Sequence, residues 1–186
     1  MPATRREYFM PPPFAEQVTN RESAAVEHSS LLSPDRPSWV VTTLSAVTGG
    51  GALWLAIAAV MARRPGPPRL AARDGAVAVV LATATAHVIG RLVRRRRPPA
   101  AELPAYQALV HKPTSSSFPS AHTAVAAAFT TAVIARHRRW GTAMTPLALG
   151  VAYSRIRTRA HWPTDVTAGA VCGVLIGVAI HKSLRP

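Results

Sequence analysis

Residues 39–62 hold 24 residues without a single charge. A helix needs about 20 such residues to cross the hydrocarbon layer of a bilayer, and a run of this length is hard to hide in a small soluble fold. Four more apolar runs follow: residues 75–93, broken only by Arg91; 119–135, opened by Pro119; 140–153, with Pro146 marking a kink; and 166–180. The last three are about 14 to 17 residues long, so either flanking polar residues extend those helices or the helices end below the membrane surface. Gly and Ala recur in the runs, which suits close helix packing in lipid. No strand pattern or internal repeat stands out. The expected fold is an all-α, polytopic membrane helical bundle of about five transmembrane helices. A soluble bundle of buried helices is the alternative.

Charge narrows the partners. The 186 residues carry 22 Lys and Arg against 8 Asp and Glu, a net charge of +14. A balance of that kind calls for an anionic partner: nucleic acid, a lipid surface or a phosphorylated substrate. A nucleic-acid module would spread its basic residues over a polar surface, whereas here they bracket apolar runs, as in a membrane protein. The expected partners are therefore the lipid bilayer and a phosphorylated lipid, with no nucleic acid. Residues 1–38 are polar, with prolines at 11–13 and mixed charges, and read as a disordered tail without a cleavable signal peptide. The expected organisation is this tail and a membrane-embedded domain over 39–186. Cys172 is the single cysteine and reads as a small packing residue. The seven histidines lack metal-ligand spacing, so no metal or other cofactor is expected. His87 reads as a helix contact, Trp140 and Trp162 as interfacial anchors, and Arg157 and Arg159 as interfacial charges.

Three islands interrupt the apolar runs. One spans 91–99, with Arg91, Arg94 and Arg97-Pro98. One spans 115–122 and includes Pro119-Ser120-Ala121-His122. The last spans 154–165, with Ser154-Arg155, His161 and Asp165. If each run crosses the membrane once, all three islands meet on one face. The third island combines a guanidinium that can grip phosphate oxygens through paired hydrogen bonds, a histidine able to act as nucleophile or proton carrier and a carboxylate able to fix the imidazole's tautomer. A basic juxtamembrane loop with an incidental histidine and a helix-capping aspartate would read the same way.

In order and spacing, these islands resemble the motifs of the type 2 phosphatidic acid phosphatase superfamily over roughly residues 75–182. That pattern is Lys, six residues, Arg-Pro; Pro-Ser-Gly-His; and Ser-Arg, five residues, His, three residues, Asp. The third motif is complete, and the second differs by Ala121 in the glycine position. The first keeps Arg97-Pro98 but holds Gly90 where the family has lysine, leaving Arg94 or Arg91 as candidates for the missing cation. The resemblance implies hydrolysis of a lipid phosphate without a metal. His161 would attack phosphorus to form a phosphohistidine, with Asp165 holding its imidazole. His122 would protonate the leaving oxygen and later activate water. Arg97 and Arg155 would hold the equatorial oxygens, with Ser120 and the backbone N–H groups near Ala121 and His122 as further donors at a helix start.

The family's substrates imply a polyprenyl phosphate or diphosphate, or a phosphatidic-acid-type lipid. The Ala/Arg/Pro-rich composition points to a GC-rich bacterial genome, where lipid carriers of cell-wall synthesis fit that class. The short loops opposite the motif face are basic, which favours a cell-membrane protein with an extracytoplasmic site. Two other readings follow from the same residues. Gly90 motivates a catalytically weak lipid-phosphate-binding membrane protein. The shared anion site motivates a soluble relative of the vanadium haloperoxidases, against which the apolar runs and small size argue.

Overall fold

The computed structural model describes residues 51–99 and 115–184, with positions 20–22, 24 and 43 besides. The chain divides into two compact units, Met1–Ser33 and Pro34–Pro186, and every helix considered below lies in the second. The tail expected over 1–38 and the first half of the 39–62 run lie outside the described residues, those few positions apart. Five helices follow in order: α1 (Ala52–Ala62), α2 (Pro67–Val93), α3 (Ala121–Arg136), α4 (Arg138–Arg157) and α5 (Pro163–Ser183). No strand occurs among the described residues. Two of the helices, α2 and α5, are long and apolar enough to cross a membrane.

The polar flanks extend the short runs. Helix α2 begins at Pro67, eight residues before its apolar run, with prolines in its first turn where no N–H partner is lost. Helix α4 continues through Pro146 and takes Ser154 and Arg155 into its last turns. Helix α5 starts at Pro163 and so carries Asp165 in its first turn. The motif residues thus sit at helix ends, on rigid elements.

Helix α3 is the hub, packed against α2, α4 and α5, while α1 packs on α2. The core between them is small and apolar: Ala124, Ala128 and Ala132 of α3 are buried with Val79, Val133 and Val151. Trp54 and Phe129 meet with ring centroids 5.2 Å apart. The outward faces are also apolar. Val80, Leu92, Leu149 and Leu175 are 60–78% exposed, an arrangement that suits lipid rather than water around the bundle.

Helices α3 and α5 approach closely because α5 presents a stripe of glycines to the α3 backbone. A Cβ on Gly169 would sit 2.5 Å from the Ser120 carbonyl oxygen, and one on Gly177 2.7 Å from that of Ala128. Between them, a Cβ on Gly173 would run into the Ala124 carbonyl oxygen. Small residues four apart let two backbones touch where lipid supplies no hydrophobic drive for association. At the end of the bundle away from the motifs, the buried carboxylate of Asp74 accepts from Arg136 at 2.8 Å and from Arg73 at 3.0 Å. Both arginines also reach the Leu184 carbonyl, at 3.0 and 3.2 Å. This polar clamp is why α2 can begin with charged residues: they close its start onto the ends of α3 and α5.

Gly173→Val should destabilise the protein by about 2 kcal/mol or more, since the new side chain meets backbone and cannot rotate away. Thermal unfolding in detergent should show a clear drop in midpoint; an unchanged midpoint would mean the α3–α5 seam is looser than described.

Candidate active site

The end of α4 explains how one motif brings arginine and histidine together. Thr158 N–H donates to the Ser154 carbonyl at 3.0 Å, and Arg159 then adopts a left-handed conformation, φ 51°. That turn reverses the chain, and the N–H groups of Ala160 and His161 both donate to the Arg155 carbonyl at 3.1 Å. His161 therefore folds back over the turn that carries Arg155. A left-handed arginine costs roughly 1 kcal/mol, offset by capping the last carbonyls of α4. Asp165 closes the other side by accepting the Trp162 N–H at 2.9 Å, the reciprocal bond of a helix start.

The segment after α2 lies along residues 115–117. Ser117 N–H donates to the Arg95 carbonyl at 2.9 Å, and Arg95 N–H to the Ser116 hydroxyl at 3.0 Å. Pro98 and Pro99 favour extended backbone in what precedes them, and alternate residues of an extended chain share a face. Arg95 and Arg97 accordingly both turn toward the α4–α5 loop. Arg95 donates to Asp165 Oδ1 at 2.7 Å and to the Thr164 hydroxyl at 2.6 Å, and its guanidinium lies over the Trp162 ring. Arg97 donates to the Ala160 carbonyl at 2.6 Å, and its Nη1 stands 3.3 Å from His161 Nε2. Its remaining nitrogens bond to Ser115 and Ser116, at 3.2 Å each.

His161 is 5% exposed. Its Nδ1 lies 2.6 Å from the Ser117 carbonyl, an acceptor only, so Nδ1 carries the proton and Nε2 is left with its lone pair facing Arg97. Burial, and then the charges of Arg97 and Arg155, push the His161 imidazole down from 6.5 to about 3, the Ser117 bond partly opposing. The ring is neutral at physiological pH. Burial likewise lowers the Arg97 pKa, with Asp165 opposing.

Asp165 holds a different place from the one its spacing suggests. Its Oδ2 is 3.9 Å from His161 Nδ1, beyond hydrogen-bond range. The carboxylate, fully buried, is occupied by the Ser117 hydroxyl, the Trp162 N–H and Arg95. It reaches His161 through Ser117, whose carbonyl holds the imidazole and whose hydroxyl holds the carboxylate.

His161, His122, Arg155, Arg97 and Ala121 line one cavity of about 940 Å³, together with Arg91 and Arg94. The three islands do meet at one end of the bundle. Ser120 and Asp165 are the expected residues that the cavity lining leaves out, and Ser120 has no link to His161 like that of Asp165. Ser120 is fully buried and lies off the cavity wall, its hydroxyl 3.0 Å from that of Thr123 and its N–H donating to the Asp165 carbonyl at 2.9 Å. It fills the N-cap position of α3 without a side-chain capping bond. Two expected interfacial residues are buried instead: Arg157 at 6% exposure and Trp162 at 3%. Trp162 donates from its indole to the Arg96 carbonyl at 3.0 Å. His87 makes the expected helix contact, Nδ1 to the Thr83 carbonyl at 2.8 Å, and its ring lines the cavity. Sequence reasoning missed Ser117 and Arg95, each of which sits in a run of identical residues.

Comparison with known proteins bears on these residues. A family model described as the PAP2 superfamily matches residues 71–185. The chain is 38% identical over 104 residues to a decaprenylphosphoryl-5-phosphoribose phosphatase of Mycobacterium tuberculosis, covering 55% of each protein. It is 35% identical over 81 residues to the undecaprenyl-diphosphatase BcrC of Bacillus subtilis, covering 42% of each. These matches span about half the length of the relatives. In fold, it superposes on the crystal structure of the transmembrane PAP2-type phosphatidylglycerolphosphate phosphatase of Bacillus subtilis with a TM-score of 0.67, at 20% identity, covering 94% of this chain and 89% of that one.

Replacing Arg97 by Gln removes the positive charge nearest Nε2, so the His161 pKa should move upward from about 3. An NMR titration of the labelled imidazole in micelles should show that rise; an unmoved midpoint would mean that Arg97 does not set the field at Nε2.

Proposed function

This chain belongs to the PAP2 superfamily, and on that premise we propose that it is a membrane phosphatase hydrolysing a lipid phosphate, of the polyprenyl phosphate, polyprenyl diphosphate or phosphatidic acid type, through a phosphohistidine and without a metal. The observation that carries this reading is the 3.3 Å approach of Arg97 Nη1 to an unprotonated His161 Nε2, in a cavity that Arg155 and His122 also line. A phosphate lodged there meets a lone pair and two guanidinium groups at once.

The chemistry runs in two steps. His161 Nε2 attacks phosphorus, the bond from phosphorus to the lipid-side oxygen breaks, and His122 gives that oxygen its proton. Arg97, Arg155 and the N–H groups opening α3 at Ala121 and His122 hold the equatorial oxygens, where charge accumulates. His122, now a base, takes a proton from water as the water attacks phosphorus. The P–N bond breaks and inorganic phosphate leaves. Asp165 supports the imidazolium of the intermediate from 3.9 Å and keeps Ser117 in place.

The lipid assignment draws on two supports. The inner wall of the cavity is small and mostly apolar, with Ala86 and Val125, and relatives are named for decaprenyl- and undecaprenyl-linked phosphates. We read all five helices as crossings, with the cavity on the extracytoplasmic side. A topology reporter fused after Pro186 should then signal from the cytoplasm, and a periplasmic signal would reverse the assignment.

Protein purified in detergent should release phosphate from a polyprenyl phosphate or diphosphate with a metal chelator present. His161→Ala should abolish turnover, and His122→Ala should lower it by about 10² to 10⁴-fold. Acid-quenched enzyme should carry substrate phosphorus on His161, and turnover that needs added metal, or survives in His161→Ala, would sink this mechanism.

A second reading, a weakly catalytic lipid-phosphate-binding protein, has Gly90 in its favour. A Cβ there would meet the Phe118 carbonyl oxygen at 3.3 Å and the Ser116 Cβ at 3.6 Å, tight but tolerable with a small shift. Gly90→Lys discriminates. A large rise from near-zero turnover supports the binding protein, and little change or a loss supports the phosphatase.

A further inference from the structure

Six arginines line the cavity, Arg91, Arg94, Arg95, Arg96, Arg97 and Arg155, more positive charge than one phosphate uses. Arg95 and Arg97 are tied to fixed partners: Arg95 to Asp165 and Thr164, Arg97 to Ala160, Ser115 and Ser116. Arg91 and Arg94, at the end of α2, line the same cavity and are exposed. Among the described residues their side chains make one hydrogen bond, Arg94 Nε to the Arg91 carbonyl at 3.3 Å, and no ion pair. Arg94 ends the helix in a left-handed conformation, φ 48°, its N–H donating to the Gly90 carbonyl. A basic residue in the last turn suits the negative end of a helix, and Arg91 alone would meet that need. Two uncompensated guanidinium groups so close in sequence repel one another unless an anion lies between or beside them.

Gly90 explains why these two do not simply replace the family lysine. A side chain at 90 would emerge against Phe118 and Ser116, the segment that also bonds Arg97 and His161. Arg91 is turned by about 100° from that direction, and Arg94 leaves the helix altogether. Neither arginine of the pair starts out in the direction that a lysine at position 90 would take.

We propose that Arg91 and Arg94 form a second phosphate subsite, which holds the retained phosphoryl group of a lipid diphosphate while its terminal phosphate reacts at Arg97, Arg155 and His161. The inference rests on the reading of the cavity as a phosphate site. In the reaction it implies, His161 Nε2 attacks the terminal phosphorus and the bond from that phosphorus to the bridging oxygen breaks. The bridging oxygen leaves with the lipid monophosphate, taking its proton from His122 while the two arginines hold the charge. Water then cleaves the P–N bond and frees inorganic phosphate. A lipid monophosphate would fill only the reacting position.

Binding tests this without requiring turnover. Full-length protein in maltoside micelles, which carry no phosphate, is titrated calorimetrically with methylenediphosphonate and with methylphosphonate. The wild type should favour the diphosphonate at least about tenfold, and the double variant Arg91→Gln with Arg94→Gln should lose about tenfold of that ratio. Arg63→Gln with Arg69→Gln, the same charge change around the α1–α2 connection, should keep the ratio. Equal losses for both ligands, an unchanged ratio, or the same loss in the control pair would overturn the subsite. So would a wild type that binds both phosphonates alike while the Arg91/Arg94 variant loses binding to phosphatidylglycerol vesicles, since the pair would then serve bilayer headgroups. Protein that shows the ratio but hydrolyses no lipid phosphate would overturn the phosphatase reading and leave the subsite standing.

Discussion

The site depends on one buried carboxylate. Asp165 joins three segments far apart in sequence: it accepts from Arg95 after α2, from Ser117 before α3 and from Trp162 at the start of α5. A charge removed from water is tolerable only with such partners around it. Each bond also fixes something the chemistry needs. Through Arg95 it holds the extended segment that aims Arg97. Through Ser117 it holds the carbonyl that gives His161 its tautomer. Its own backbone carbonyl takes the Ser120 N–H and so seats the start of α3, where His122 lies. The residue that reads in sequence as a direct partner of the histidine acts as the joint of the whole site.

That joint works because the helices behind it are held at both ends. The glycine stripe on α5 lets α3 approach until backbone meets backbone, and Asp74 clamps the far end with Arg73 and Arg136. In lipid, apolar burial does not distinguish a neighbouring helix from an acyl chain, so close packing and polar clamps carry the specificity. The small alanine-rich face of α3 follows from the same demand: larger side chains would fill the core but push the helix termini, and His122 and His161 with them, out of register.

Much of this was legible in the sequence. The spacing of Arg155, His161 and Asp165 encodes a helix end, a reversing turn and a new helix start, and local geometry converts that spacing into proximity. The apolar runs located the five helices of the described residues, though not their ends, because charged residues such as Arg73 and Asp74 enter a helix once a distant partner neutralises them. Ser117 was hidden among three identical serines, and Arg95 among four arginines, since composition does not say which member of a run faces inward. Trp162 packs inside for a related reason: its partner comes from a segment distant in sequence and is a backbone carbonyl, which every residue possesses. Ser120 was expected on the phosphate because its position caps a helix, but its hydroxyl has a nearer partner in Thr123.

The charges of the site also explain its timing. Before substrate binds, Arg97 and Arg155 make a positive charge on His161 costly, and the imidazole stays neutral with its Nε2 lone pair toward Arg97. A bound phosphate dianion cancels much of that field. In the proposed reaction the ring would become cationic when Nε2 bonds to phosphorus, with the phosphoryl oxygens and Asp165, at 3.9 Å, as its nearest anions. At that distance a carboxylate attracts the ring without competing for the Nδ1 proton, which stays on Nδ1 and is donated to the Ser117 carbonyl. On the proposed mechanism, the same two guanidinium groups would keep the nucleophile neutral before substrate arrives and stabilise the transferring group afterwards. The ring itself is held throughout, because Ser117 fixes the ring and Asp165 fixes Ser117.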